Sequence, residues 1–264
     1  MPRVRLDSLL AERGIFDSRT RAAAAVIAGD VMLGPGRRRA DKPGQLVAAD
    51  VEVDVTAPPR FVSRGGIKLA NALDALAIEL SGRRCLDVGA STGGFTDCLL
   101  QRGAEAVTTV DVAYGELHWS LREDDRVTVL ERVNARSLSS DVLPWAPSLI
   151  VIDVSFISLA KVLPAVLACA APDRFDCLAM VKPQFEIGRE RLGKGGVVRD
   201  AGDRRECVAA VATAGRVAGA EILGFAPSGL PGPAGNRETF LWLGEPGRAG
   251  AVEDLDAALA GVDV

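Results

Sequence analysis

Between residues 84 and 243 the chain alternates short apolar runs with stretches of helical spacing. Runs such as Cys85-Leu86 and Leu149-Ile150-Val151-Ile152 have no polar face, so a strand made from them must be covered on both sides. The pattern predicts strands at 84–88, 106–112, 127–131, 148–154, 177–181, 221–226 and 239–243, with helices at 94–101, 116–122, 159–170 and 203–218. Pro164 falls inside the third of these helices, where it predicts a kink. An earlier helix carries Leu69, Leu73, Leu76, Ala77 and Leu80 on one face. Seven strands alternating with helices predict an α/β domain with a mostly parallel sheet and helices on both faces. In such sheets ligands bind at the carboxyl ends of the strands.

The first 60 residues follow another pattern. Val4, Leu6, Leu9 and Leu10 give a helical stripe ended by Gly14, and Ser18 opens a second helix closed by Gly29. Val31-Met32-Leu33 and the alternating 51–55 predict strands around a glycine-proline loop with Arg37-Arg38-Arg39. Residues 1–64 hold 11 Lys and Arg against 8 Asp and Glu, whereas the whole chain has a formal net charge of −4. A basic module on an acidic body suggests contact with a polyanion.

The segment Asp87-Val88-Gly89-Ala90-Ser91-Thr92-Gly93-Gly94-Phe95 runs from an apolar strand through a turn of small residues into a helix. Glycine there permits a sharp turn and close approach of a ligand to the backbone. Asp87 at the strand end would repel a pyrophosphate and attract an amino group. Asp111, ending the next strand, can accept from both hydroxyls of a ribose, and Asn134, after the third, can read an adenine edge. Gly89, Ser91 and Gly94 occupy the places of G-x-G-x-x-G, so the strict dinucleotide motif is absent. The expected cofactor is S-adenosylmethionine, held by Asp87, Gly89, Ala90, Ser91, Thr92, Gly93, Gly94, Phe95, Asp111, Asn134 and Asp153.

Charged residues mark the ends of apolar strands elsewhere too: Asp153 closes the fourth strand, Lys182 closes the fifth, and Glu238 opens the last, with Lys68 in Ser63-Arg64-Gly65-Gly66-Ile67-Lys68-Leu69. Such charges are costly to bury unless paired. Two lysines alternating with two carboxylates meet that requirement. They are read as catalytic, with Lys182 orienting an acceptor oxygen and taking its proton. Two structural ion pairs are the alternative, above all for Glu238. The loop 186–199, with Lys194-Gly195-Gly196, is expected to be a mobile lid, and 229–235 a rigid loop that places Glu238.

These motifs resemble a known family. Arg5-Leu6-Asp7, Ser18-Arg19, Gly29-Asp30-Val31 and Lys42-Pro43-Gly44 are similar to the S4-type RNA-binding domain. Lys68, Asp153, Lys182 and Glu238 resemble the tetrad of FtsJ-like ribose 2′-O-methyltransferases. Together with Asp87–Phe95 and Val181-Lys182-Pro183-Gln184-Phe185-Glu186, the chain resembles the TlyA family over nearly its whole length. The resemblance implies a Rossmann-like methyltransferase domain at 64–264, a linker at 58–63 and a small α+β S4-type domain at 1–57. It implies 2′-O-methylation of cytidine in ribosomal RNA of one or both subunits. RNA contacts are expected from Arg5, Arg19, Arg21, Arg37, Arg38, Arg39, Lys42 and Arg64.

Other classes fit less well. Five cysteines show no C-x-x-C spacing and His118 is the only histidine, so no metal site and no Ser-His-Asp triad is expected. Residues 1–14 are charged and no apolar run reaches the ~18–20 residues of a membrane span. A cytoplasmic monomer that meets ribosomal RNA or ribosomal subunits, and no membrane, is expected. The alternatives are an RNA-binding assembly factor with little catalysis and a lytic haemolysin-like protein.

Overall fold

The computed structural model describes residues 3–16, 18–55, 60–193 and 195–262. The chain divides into two compact units, Met1–Arg60 and Phe61–Val264.

The first unit is built from β1 (Arg3–Arg5), α1 (Leu6–Glu12), α2 (Arg19–Ala28), β2 (Val31–Leu33), β3 (Arg38–Arg39), β4 (Leu46–Ala48) and β5 (Val53–Val55). Leu6, Leu10, Ala22, Val26 and Val31 form its core. Ser18 caps α2 by accepting from Arg21 N, and Gly29 closes it in the left-handed region at φ 91°. Val4 departs from expectation: it lies in β1, opposite Val47 of β4, and not on the helix. Its flanking arginines continue an extended edge, and the helical spacing starts only at Leu6. The strand expected at 51–55 is confined to β5, which pairs with β2.

The second unit contains α3 (Gly65–Ala75), β6 (Arg84–Val88), α4 (Gly94–Gln101), β7 (Ala106–Asp111), α5 (Trp119–Arg122), β8 (Val127–Glu131), β9 (Leu149–Ile152), α6 (Leu163–Leu167), β10 (Asp176–Val181), α7 (Pro183–Glu186), α8 (Ala201–Val217), β11 (Glu221–Pro227), β12 (Thr239–Gly244) and α9 (Leu255–Ala260). Its seven strands run in the order β11-β12-β10-β9-β6-β7-β8. Only β12 is reversed, pairing antiparallel with both β10 and β11. The expected Rossmann-like, mostly parallel sheet is therefore present.

Alternate strand residues feed two cores, as the two-residue period of a strand requires. Leu86, Ile150, Cys177 and Leu241 face α6 and α8, where Leu163, Val208 and Val211 complete one core. Cys85, Leu149, Leu178 and Phe240 face α3 and α4, where Leu69, Leu73 and Leu99 complete the other. Two expected helices come out shorter. The 159–170 stretch splits into a 3-10 turn, Leu159–Lys161, and α6, with Pro164 in the first turn of α6, where its missing N–H is no loss. The 116–122 stretch is reduced to α5, capped by His118, whose ring accepts from Ser120 N.

The linker expected at 58–63 straddles the division between the units. Residues 58 and 59 lie outside the described residues. Phe61 is buried in the second unit's core, and Val62 N donates to Asp97 Oδ2 at 2.8 Å. Among the described residues no helix is long and apolar enough to cross a membrane.

Candidate active site

Two cavities open at the carboxyl ends of the parallel strands, and Gly89, Ser91, Asp153 and Ser155 line both. The first, about 460 Å³, is lined by Val110, Asp111, Val133, Asn134, Val154, Phe156 and Val162 among others. The second, about 300 Å³, is lined by Lys68, Asp153, Lys182 and Glu238, together with Arg64, Ala90, Thr92, Gly94 and Phe95. The four charged residues drawn from distant parts of the sequence thus share one cavity.

They form two pairs. Lys68 Nζ lies 2.5 Å from Glu238 Oε2, both side chains being almost fully buried. Lys182 Nζ lies 2.5 Å from Asp153 Oδ1. That second approach lacks hydrogen-bond geometry, leaving Asp153 Oδ1 without a hydrogen-bond partner among the described residues, and Lys182 donates to Ser155 Oγ at 2.9 Å. Glu238 is fixed by the loop before β12. Ser228 N donates to Glu238 O, and Gly232 packs so closely that a Cβ there would stand 2.6 Å from Glu238 Oε1.

The turn after β6 is held from two sides. Gly89 has φ 84°, and a Cβ at that position would meet Asp153 O at 2.4 Å, so only glycine fits between the two strand ends. Ser91, at φ 47°, donates its backbone N–H to Asp111 Oδ2 at 2.8 Å and its hydroxyl to Glu116 Oε2 at 3.1 Å. Asp111 Oδ1 accepts from Ala113 N, and Asn134 Oδ1 accepts from Arg136 N. Both side chains are therefore oriented by backbone amides while lining the first cavity.

Two residues expected to touch a ligand line neither cavity. Gly93 caps α4 at φ 92° and faces Leu117 and Leu121, so its role is to start the helix. Asp87 is fully buried behind the turn and accepts from Thr96 Oγ1 at 2.6 Å. Its Oδ1 is buried with no hydrogen-bond partner among the described residues, and burial pushes its pKa up to about 7. Phe95 lines the second cavity but belongs chiefly to the core, packing on Phe240 at 5.8 Å between ring centroids.

Sequence reasoning passed over Ser155, Phe156 and Glu116. The first two directly follow Asp153, which is the signal that could have found them. Phe156 has φ 63°, is 92% exposed, and meets the Phe185 ring at 5.1 Å. The expected lid is tethered at its far end: Asn236 Oδ1 accepts from Val198 N at 2.9 Å, and its Nδ2 donates to Gly196 O at 2.8 Å. Lys194 of that loop lies outside the described residues.

In the first unit, Arg5 and Arg19 converge on the buried Asp7, at 2.7 and 3.5 Å. The Arg5 guanidinium holds the Asp7 carboxyl down to about 2. Arg37 pairs with Asp54 at 2.7 Å, and Arg38, Arg39 and Lys42 are exposed. Arg21 is exposed on the first turn of α2.

Residues 61–245 match the model of the FtsJ-like methyltransferase family. The chain is 49% identical over 243 residues to the 16S/23S rRNA (cytidine-2′-O)-methyltransferase TlyA of Mycobacterium tuberculosis, covering 91% of this chain and 90% of that one. It is 38% identical over 141 residues, 53% of each chain, to the 23S rRNA (cytidine-2′-O)-methyltransferase TlyA of Campylobacter jejuni. A solved structure bearing a hemolysin name, from Streptococcus thermophilus, superposes with a TM-score of 0.72 at 36% identity, covering 98% of this chain and 95% of that one. A family match over most of the chain, and a relative half identical across nine-tenths of it, mean that the chain belongs to the TlyA family of FtsJ-like methyltransferases.

Proposed function

We propose that this chain transfers a methyl group from S-adenosylmethionine to the 2′-hydroxyl of a cytidine in ribosomal RNA, as a cytoplasmic monomer. The observation that carries the reading is the convergence of Lys68, Asp153, Lys182 and Glu238 on one cavity that shares a wall with a second, larger one.

The residues present fit the cofactor. Apolar walls from Val110, Val133 and Val162 suit an adenine, Asn134 an adenine edge, and Asp111 the ribose hydroxyls. Asp87 Oδ1, buried behind the turn and without a hydrogen-bond partner among the described residues, is an acceptor that an ammonium group reaches if the turn 89–92 shifts on binding. When bound, S-adenosylmethionine supplies an electrophilic methyl group on a sulfonium.

A ribose hydroxyl is a weak nucleophile until it is oriented and relieved of its proton. Lys182 Nζ orients that oxygen and takes its proton as it attacks, and the ammonium so formed stabilises the negative charge that develops there. Asp153 and Ser155 hold the Lys182 ammonium from the side the two cavities share. The Lys68–Glu238 pair, buried and self-neutralising, lines the same cavity and orients the ribose. Arg64, exposed at the same cavity, offers a guanidinium to the RNA phosphates. The basic residues Arg5, Arg19, Arg21, Arg37, Arg38, Arg39 and Lys42 of an S4-type first unit bind the folded RNA around the target.

The test supplies labelled S-adenosylmethionine with separated ribosomal subunits and maps the labelled nucleotide. Label on a cytidine ribose is expected. No label in either subunit or in free ribosomal RNA overturns the function, and Lys182→Ala is expected to abolish transfer while preserving cofactor binding.

A further inference from the structure

We propose that Glu186 is a positioning residue for the Asp153–Lys182 pair, joining the segment after β9 to the segment after β10. The assay of this role rests on the methyl-transfer reading above.

The β9–β10 ladder ends at Ile152 and Ala179. Beyond it the two chains meet through side chains, in the same order along each. Lys182 reaches Asp153 and Ser155. Phe185 meets Phe156. Glu186 closes the series: its Oε2 accepts from Ser158 Oγ at 2.6 Å and its Oε1 from Leu159 N at 2.8 Å. The carboxylate thereby also caps the 3-10 turn that follows Ser158.

The segment needs such a tie. Phe156 is a non-glycine residue in the left-handed region and almost fully exposed. A conformation of that kind costs on the order of 1–3 kcal/mol and persists only where its surroundings hold it. Asp153 N, bonded to Val88 O at 2.9 Å, anchors one end of the segment, and Glu186 anchors the other. Glu186 itself stands on a firm base, because α7 is backed by α8 through Cys207 Sγ and Pro183 O at 3.8 Å. Glu186 is half-buried, and burial raises its pKa against the two bonds it accepts. It lines neither cavity, so it acts through the chain it holds and not on a substrate.

The test compares the wild-type chain with Glu186→Ala and Glu186→Gln. Turnover on ribosomal RNA, cofactor affinity and backbone amide exchange of residues 154–159 are measured for each. Glu186→Ala is expected to lower kcat by about ten- to a hundredfold, since small misplacements of reacting groups cost that much. The RNA KM and the cofactor Kd stay within about threefold, while amide exchange of 154–159 accelerates and that of β6 and β10 does not. Glu186→Gln recovers most of the turnover, because its amide can accept from Leu159 N and donate to Ser158 Oγ. Wild-type kcat in Glu186→Ala, loss of kcat with unchanged exchange, or exchange accelerated throughout the unit without rescue by glutamine would each overturn the assignment. An inactive wild-type chain counts against the methyl-transfer reading alone, and the exchange comparison then decides whether Glu186 holds the segment.

Discussion

Lys68 Nζ and Glu238 Oε2 lie 2.5 Å apart across 170 residues of sequence, with side chains 8% and 1% exposed. An ion pair so buried recovers little net stability over an apolar pair of the same shape, yet breaking it leaves an unpaired buried charge. Glu238→Ala should therefore destabilise the second unit by about 3–5 kcal/mol. The double variant Lys68→Met, Glu238→Leu should regain most of that stability and remain inactive. Chemical denaturation and a methyl-transfer assay on both variants check this. An active double variant would reduce the pair to a structural bridge.

Gly89 separates the cofactor-side turn from Asp153 with no room to spare. A methyl group there would meet Asp153 O at 2.4 Å from a backbone already at φ 84°. The cost of a left-handed alanine alone is roughly 1–2 kcal/mol, and the clash with backbone adds to it. Gly89→Ala should lower stability by at least about 2 kcal/mol and weaken cofactor binding by moving the end of β9. Thermal unfolding and calorimetric titration with S-adenosylmethionine measure the two effects. Unchanged affinity would show that the strand ends move without disturbing the cavity.

How much of this was legible in the sequence depends on the scale of the signal. Strand β6 was readable to its ends because a polar Arg84 and a glycine turn bound an apolar run. Asp153, Lys182 and Glu238 stood out because charges directly beside such strands are costly to bury without a use, whereas Lys68, inside α3, stood out only through the family resemblance. Asp87 was readable as important, but not as buried: whether a strand-end carboxylate points into a cavity or behind the turn depends on Thr96, one turn into the following helix. Gly93 looked like a ligand contact because glycine serves both close approach and helix capping, and only the packing on Leu117 and Leu121 separates them. Val4 went to a strand because its partner, Val47, lies far along the chain. Non-local pairing leaves no periodic trace.

Among the described residues of the first unit, the exposed Arg38 and Lys42 have no buried carboxylate beside them of the kind that holds Arg5 and Arg19 at Asp7. If they meet phosphates, replacing either by alanine should weaken RNA binding and lower the slope of log affinity against log salt by about 1. The cofactor Kd should not change. RNA titrations at several salt concentrations give the slope, and an unaltered slope would remove these residues from the RNA contact.

Asp87 makes the stability of the second unit depend on pH. Its pKa in the folded chain is about 7, raised from 3.8 by burial, against the hydrogen bond from Thr96 and with the help of nearby Asp153. Between those values the folded chain keeps a proton that the unfolded chain has released, so stability falls as pH rises from about 4 to about 7 and levels off above. The full loss is roughly 4 kcal/mol for a shift of about three units. Asp87→Asn should abolish this fall, which denaturation across that range would reveal. Cofactor binding has the opposite sign. An ammonium satisfied by Asp87 Oδ1 requires the ionised carboxylate, so affinity for S-adenosylmethionine should weaken as pH drops below about 7. Titrations in two buffers of different ionisation enthalpy should show proton release on binding near that pH, lost in Asp87→Asn. The same proton release in the variant would remove Asp87 from the cofactor contact.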